Sequence, residues 1–255
     1  MALVAAALIP GPEQGSAKIQ AGVEAAKKLF VQKKVDHILV LSGQAPSPSH
    51  AYTTSSVDPA AYYAMGLDKL QLTDGGATAP VFENDVAFVA GLKERARPFG
   101  LRILTSPTIK IDRANSRALR ALEIGPAVKL VAFMLPYKAP KELFEFGRVL
   151  GAVAQQSQGN VAVLAAGNLS ARLSKEGSAG FDPAGKQYDT LVTEAAKKND
   201  FMPLLKADPT LLEKAGQESA GQIAVIAAAT MRVLKASLQI YEAAGGTGQA
   251  VLTWS

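Results

Sequence analysis

The feature that most constrains this chain is an alternation of short apolar runs with segments of helical periodicity. Leu3–Ile9, His37–Leu41, Leu101–Thr105, Val128–Leu135 and Val161–Ala166 read as buried strands. Between them, 14–32, 83–97, 116–123 and 140–156 read as helices; in the first, Ile19, Val23, Ala26 and Phe30 recur at helical spacing. The last third is more helical, with helices at 183–198, 201–206, 209–215 and 223–233. Two strands, 237–242 and 249–254, then flank Gly245-Gly246-Thr247-Gly248 as a hairpin. Strands alternating with helices predict an α/β fold: a mostly parallel or mixed sheet, helices on both faces, an antiparallel edge. No linker or internal repeat divides the chain, so residues 1–255 are read as one domain. Ligands bind such sheets at the carboxyl ends of the strands, where the loops at 10–15, 42–50, 106–115 and 167–182 would gather. Residues 43–80, rich in Ser, Pro, Gly and Thr, read as a long excursion with one strand near 51–57.

Composition narrows the chemistry. The chain has no cysteine, which excludes disulfides, thiolate metal sites and cysteine nucleophiles. The net charge of +5 is a mild excess over 255 residues. Its one basic cluster, Lys27, Lys28, Lys33 and Lys34, reads as a solvated helix face, and no aromatic motif accompanies it, so no nucleic-acid partner is expected. The apolar start lacks a basic region and is read as a first strand rather than a signal peptide. No run is long enough to span a membrane, and a cytoplasmic location fits.

Only two histidines are present. His37 opens a strand and His50 lies in a Ser-Pro-Ser loop, so together they make no facial triad for iron. There is no Gly-x-Ser-x-Gly elbow, no Walker loop and no dinucleotide fingerprint. Asp182-Pro183 and Asp208-Pro209 read as helix caps. Asn168, at the end of an apolar strand, is equally suited to binding a ligand or holding its loop. The residues alone describe an α/β domain with a loop-built cleft and no visible catalytic apparatus.

The segment Gly167-Asn-Leu-Ser-Ala-Arg-Leu173, followed by Ala179-Gly-Phe-Asp-Pro-Ala-Gly185 and Tyr188-Asp189, resembles the Gly-Asp-Leu-Ser-His-Arg-Leu … Gly-Tyr-Asp-Pro-x-Gly … Phe-Asp stretch of the class III extradiol ring-cleavage dioxygenase family, in its Memo-like, AMMECR-associated branch. Phe82-Glu-Asn-Asp85, Leu143-Phe-Glu-Phe-Gly147, Leu204–Pro209, Glu213–Gly216 and Tyr241-Glu242 extend the similarity over nearly the whole chain. The resemblance implies Fe(II) and ring cleavage, yet the matching positions depart from it. The family's Pro-His-Pro is Pro10-Gly11-Pro12 here, and its Ser-Pro-His-Gly is Ser42-Gly43-Gln44-Ala45. Its Leu-Asp-His-Gly is Ile111-Asp112-Arg113-Ala114, and the His of Gly-Asp-Leu-Ser-His is Ala171, after Asn168 in place of the acid. The Glu of its Glu-Cys-Gly is Gln217, or Glu218 if the alignment slips by one.

Gly11, Gln44, Arg113, Ala171 and Gln217 are therefore expected to be vestigial metal and active-site positions, with no catalytic residue, no metal ligand and no resident cofactor. Three functions follow as expectations. The first is a non-catalytic subunit or scaffold partner of an active homologous chain, or of a second copy of itself. The second is a metal-free module binding an aromatic or anionic small molecule through Gln44, Arg113, Asn168, Ser170 and Gln217, where Arg113 would pair with an anion. The third is residual oxidoreductase activity on aromatic diols.

Overall fold

The computed structural model describes residues 2–11, 15–44, 58, 60–73, 79–107, 110–177 and 179–255, and the backbone but not the side chain of Gln44. Its centre is an eight-stranded sheet in the order β6-β3-β7-β2-β8-β1-β10-β9. The strands are β1 (Leu3–Ile9), β2 (His37–Gln44), β3 (Tyr62–Met65), β6 (Ile103–Ser106), β7 (Lys129–Leu135), β8 (Val161–Ala166), β9 (Ala236–Ala244) and β10 (Thr247–Trp254). A separate ribbon pairs β4 (Lys69–Gln71) with β5 (Val81–Glu83). The helices are α1 (Ala17–Gln32), α2 (Val86–Ala96), α3 (Arg113–Ala121), α4 (Pro140–Gln156), α5 (Pro183–Lys198), α6 (Met202–Leu205), α7 (Pro209–Ala215) and α8 (Ala220–Thr230).

The expected α/β architecture is present. The central strands β7, β2, β8 and β1 are parallel, and the β9–β10 hairpin supplies the antiparallel edge. β8 is buried at every residue, as a strand covered on both faces must be. One apolar layer holds Leu39, Leu41, Phe133, Phe146, Val163 and Ile223; the other holds Ile38, Val40, Phe30, Ile19, Leu119 and Leu164. Alternate side chains of β2 thus feed opposite layers, as period two requires.

The excursion at 43–80 contributes more than was expected of it. β3 enters the main sheet between β6 and β7, parallel to one and antiparallel to the other. The strand expected near 51–57 lies outside the described residues. The third helix begins at Arg113, three residues before the expected Ser116, because the Asp112 carboxylate caps it by accepting from the Asn115 N–H at 2.8 Å. The expected caps at Asp182 and Asp208 are made, to the N–H groups of Ala184 and Thr210.

α8 sits deepest, buried at all 11 residues. It can lie that close to α4 because a Cβ at Gly147 or Gly151 would fall 2.4 Å from the carbonyl oxygens of Val225 and Ala229. No helix among the described residues is long and apolar enough to cross a membrane.

Candidate functional site

The carboxyl ends of β1, β2 and β8 are neighbours in the sheet. Two helices begin against them. α3 brings its first turn to the end of β1: a Cβ at Gly11 would stand 3.9 Å from that of Ala114. α8 brings its first turn to the end of β8, where a Cβ at Gly167 would lie 3.1 Å from Gln222 Oε1 and 3.6 Å from Ser219.

Two buried amides fasten this junction. Asn115 Nδ2 donates to the Leu41 carbonyl at 3.1 Å and to Asp112 Oδ2 at 2.8 Å. Gln222 Nε2 donates to the same Leu41 carbonyl at 3.0 Å and to that of Ala166 at 3.4 Å. These neighbours are acceptors, so each amide must turn its nitrogen toward them and its oxygen away. The oxygens then have nothing to accept: Asn115 Oδ1 and Gln222 Oε1 are buried without a hydrogen-bond partner. Ser42 Oγ, on the residue after Leu41, and Asn168 Oδ1, on the residue after Gly167, are buried and unpartnered too. An orphaned buried polar atom costs about 1–3 kcal/mol, so four at one end of a sheet are a considerable local expense.

The residues expected at the site are placed unequally. Gly11, Arg113 and Asn168 lie at this end of the sheet; Arg113 is the exposed first residue of α3. The backbone of Gln44 closes β2 opposite Leu135. Ser170 is wholly buried, and its hydroxyl donates to the Ala215 carbonyl at 3.0 Å while accepting from the Arg172 N–H. Ala171 donates its N–H to the same Ala215 carbonyl. Gln217 Oε1 accepts from the Ala220 N–H at 2.7 Å, which caps α8. Ser170 and Ala171 thus brace the loop after β8 against α7, while Gln217 secures the start of α8. His50 lies outside the described residues. His37 stands at the opposite end of the sheet, with Nδ1 2.7 Å from Asp36 and Nε2 3.2 Å from Asp85.

Ser42, Asn115 and Gln222 were not singled out from the sequence. One signal existed for Gln222, the lone long polar side chain in an otherwise apolar run from Ala220 to Ala229. Asn115 lies three residues after a capping Asp, where its own burial leaves no trace in the sequence.

The loop after β8 rests on Asp189 of α5. Its Oδ1 accepts from the Ser170 N–H and its Oδ2 from the Tyr241 hydroxyl, both at 2.8 Å. Gly248 makes room for it, since a Cβ there would collide with Asp189 Oδ2. Burial pushes the Asp189 carboxyl up to about 6; the Tyr241 and Ser170 hydrogen bonds act the other way.

Fe(II) takes imidazole and carboxylate ligands. Among the described residues no three His, Cys, Asp or Glu side chains are grouped to hold a metal ion. The unpartnered oxygens at the strand ends are neutral amide and hydroxyl oxygens, with Asp112 the carboxylate bonded beside them, and this set lacks the imidazoles that ion takes.

The model of the catalytic LigB subunit of aromatic ring-opening dioxygenase matches residues 2–252. Protein CA_C1420 of Clostridium acetobutylicum is 26% identical over 112 residues, which is 44% of this chain and 24% of that protein. The match therefore spans about a quarter of that relative's length. An uncharacterized protein of Escherichia coli K12, JW3007, has a solved structure that superposes with a TM-score of 0.68 over 98% of this chain and 99% of its own. At 14% identity it shares the fold.

Proposed function

The chain belongs to the family of the catalytic LigB subunit of aromatic ring-opening dioxygenase, and from that premise we propose that it is a non-catalytic member whose cleft has become a metal-free binding site for a small molecule. One observation carries this reading. Near the positions where the family resemblance implies imidazoles and a carboxylate, the strand ends present the unpartnered oxygens of Ser42, Asn115, Asn168 and Gln222. A merely filled cavity would favour apolar side chains, because replacing both members of a buried polar pair with apolar groups is close to neutral. Orphaned polar atoms are retained at a cost, and binding a partner molecule is what offsets it.

A thermal-shift screen of small aromatic, anionic and cationic compounds in the presence of a chelator tests this. The expected result is stabilisation by at least one class without metal. No response across the set, together with ring cleavage by iron-loaded protein, would retire the proposal.

A second reading, a non-catalytic subunit beside an active homologue or a second copy, draws on β9. This nine-residue strand ends the sheet and carries one charged residue, Glu242. Open edges of that kind pair readily with another chain. A monomeric elution at high concentration, with no homologue co-purifying, would count against it.

A further inference from the structure

The four unpartnered oxygens also say what kind of group would satisfy them, and this deepens the binding reading on which it rests. We propose that Asn115, Gln222 and Ser42, with Asn168 beside them, form a subsite for a primary ammonium group of a small molecule.

Proximity comes first. The two amides donate to one carbonyl oxygen, Leu41, at 3.1 and 3.0 Å, so their head groups are held against the same atom. Ser42 is the next residue along that strand. Asn168 follows Gly167, over whose Cα the Gln222 Oε1 lies. The side chains are rigid. Both amide nitrogens are anchored on carbonyl and carboxylate oxygens, and Asn115 and Ser42 are almost fully buried, as is Gln222. The arrangement is preorganised, so a ligand would not meet the cost of ordering it.

Chemistry then selects the occupant. The amide oxygens only accept. An anion has no hydrogen to offer them and would be repelled by their dipoles. A hydroxyl brings one donor and lone pairs that only Ser42 can answer. A primary ammonium carries three donors and no acceptor, enough to serve Asn115, Gln222 and one of the other two oxygens at once. Its charge is also favoured from behind. Asp112 Oδ2 accepts from the Asn115 amide, which places a carboxylate next to the cluster and polarises Oδ1 toward a cation.

Neighbouring positive charge does not reverse this preference. Arg113, beside Asp112 at the start of α3, is exposed to solvent. The two helix N-termini are positive ends, but Asp112 and Gln217 each accept a first-turn N–H there. Among the described residues, a Cβ at Gly43, the residue after Ser42, would meet nothing within 4 Å.

Isothermal titration of metal-free protein with four probes of one shape tests the idea: benzylammonium, benzyltrimethylammonium, benzyl alcohol and benzoate. Benzylammonium is expected to bind about ten-fold or more tightly than benzyltrimethylammonium, which keeps the charge but has no N–H. Gln222→Met and Asn115→Leu should each lose a similar factor, while His37→Gln, at the far end of the sheet, should bind as the parent does. If either cluster variant fails to fold, Ser42→Ala is the smaller probe, with the same direction of effect.

Equal binding of the two cations, tighter binding of the alcohol, or cluster variants that bind unchanged would overturn the ammonium subsite. Benzoate binding best would do the same while leaving a metal-free binding site standing. Silence from all four probes overturns the subsite and leaves the oxygens to buried water. Stoichiometric iron in the same protein would instead remove the reading beneath it.

Discussion

The two ends of the parallel strands treat polar side chains differently. At the amino end, His37 has a carboxylate at each ring nitrogen. Asp36 also accepts from the Asn160 N–H, and Asp85 caps α2 through the Phe88 N–H. Gly159, at φ +101°, passes so close that a Cβ would fall 2.6 Å from Asp36 Oδ1. The polar atoms of this cluster are spoken for, so it acts as a clamp. At the carboxyl end, four polar atoms have no partner. An open groove of about 850 Å³ lies beside the clamp, lined by His37, Asp85, Glu94, Arg95 and Lys129 among others. The amino end is not free of unmet hydrogen bonds, since Asn84 Oδ1, beside Asp85 and bridged to Leu130 at the start of β7, is buried without a partner. The large groove is at this end, and the group of four unpartnered oxygens is at the other.

The strongest way to break this contrast is to remove the support under the carboxyl end. Asp189→Ala would leave the Ser170 N–H and the Tyr241 hydroxyl without their acceptor, at an expected cost of about 2–5 kcal/mol in urea unfolding. A loss below about 1 kcal/mol would mean that the loop after β8 stands without it.

The charge of Asp189 sharpens the point. Its carboxyl titrates near 6 when folded, against an ordinary 3.8. The folded chain therefore keeps a proton that the unfolded chain has released. The group's contribution is most favourable below about pH 4 and is lost as pH rises through about 6, on the order of 2–3 kcal/mol in all. Asp189→Asn should flatten the stability profile across that window; an unchanged slope would assign it to other groups.

At the other end, His37→Ala should cost about 1–2 kcal/mol by thermal or chemical denaturation, because two carboxylates lose their shared partner. It should leave ligand binding unaltered, and a weakened ligand would show that the two ends are coupled.

The smallest effect is the most telling. Gln222→Met removes an orphaned oxygen but also the donor to Ala166, so stability should change by less than about 1 kcal/mol in either direction. Leu41 keeps its bond from Asn115. A loss of several kcal/mol would recast Gln222 as a structural tie alone.

The strands at the centre were legible because burial on both faces demands unbroken apolar runs, as in Val161–Ala166. The caps at Asp182 and Asp208 were legible because capping is local chemistry. β3 was not. Tyr-Tyr-Ala-Met is four residues inside a loop-like stretch, and its strand character comes from β6 and β7, far along the chain. The site divided along the same line. Gly11 and Asn168 could be placed from the positions they occupy after strands, and Arg113 from its place in the 106–115 stretch expected at the strand ends. The amides at 115 and 222 matter because they meet on Leu41, and a meeting between residues so far apart leaves no local mark. Ser170 shows the converse: it stands in a conspicuous motif, but its hydroxyl is engaged with the Ala215 carbonyl and the Arg172 N–H.

That this LigB-family cleft binds without iron is tested most directly by an anaerobic titration of the untagged protein with Fe(II). No saturable one-to-one uptake is expected, and no oxygen consumption with aromatic diols afterwards. One tightly held iron per chain, with ring-opened product on admission of oxygen, would contradict it.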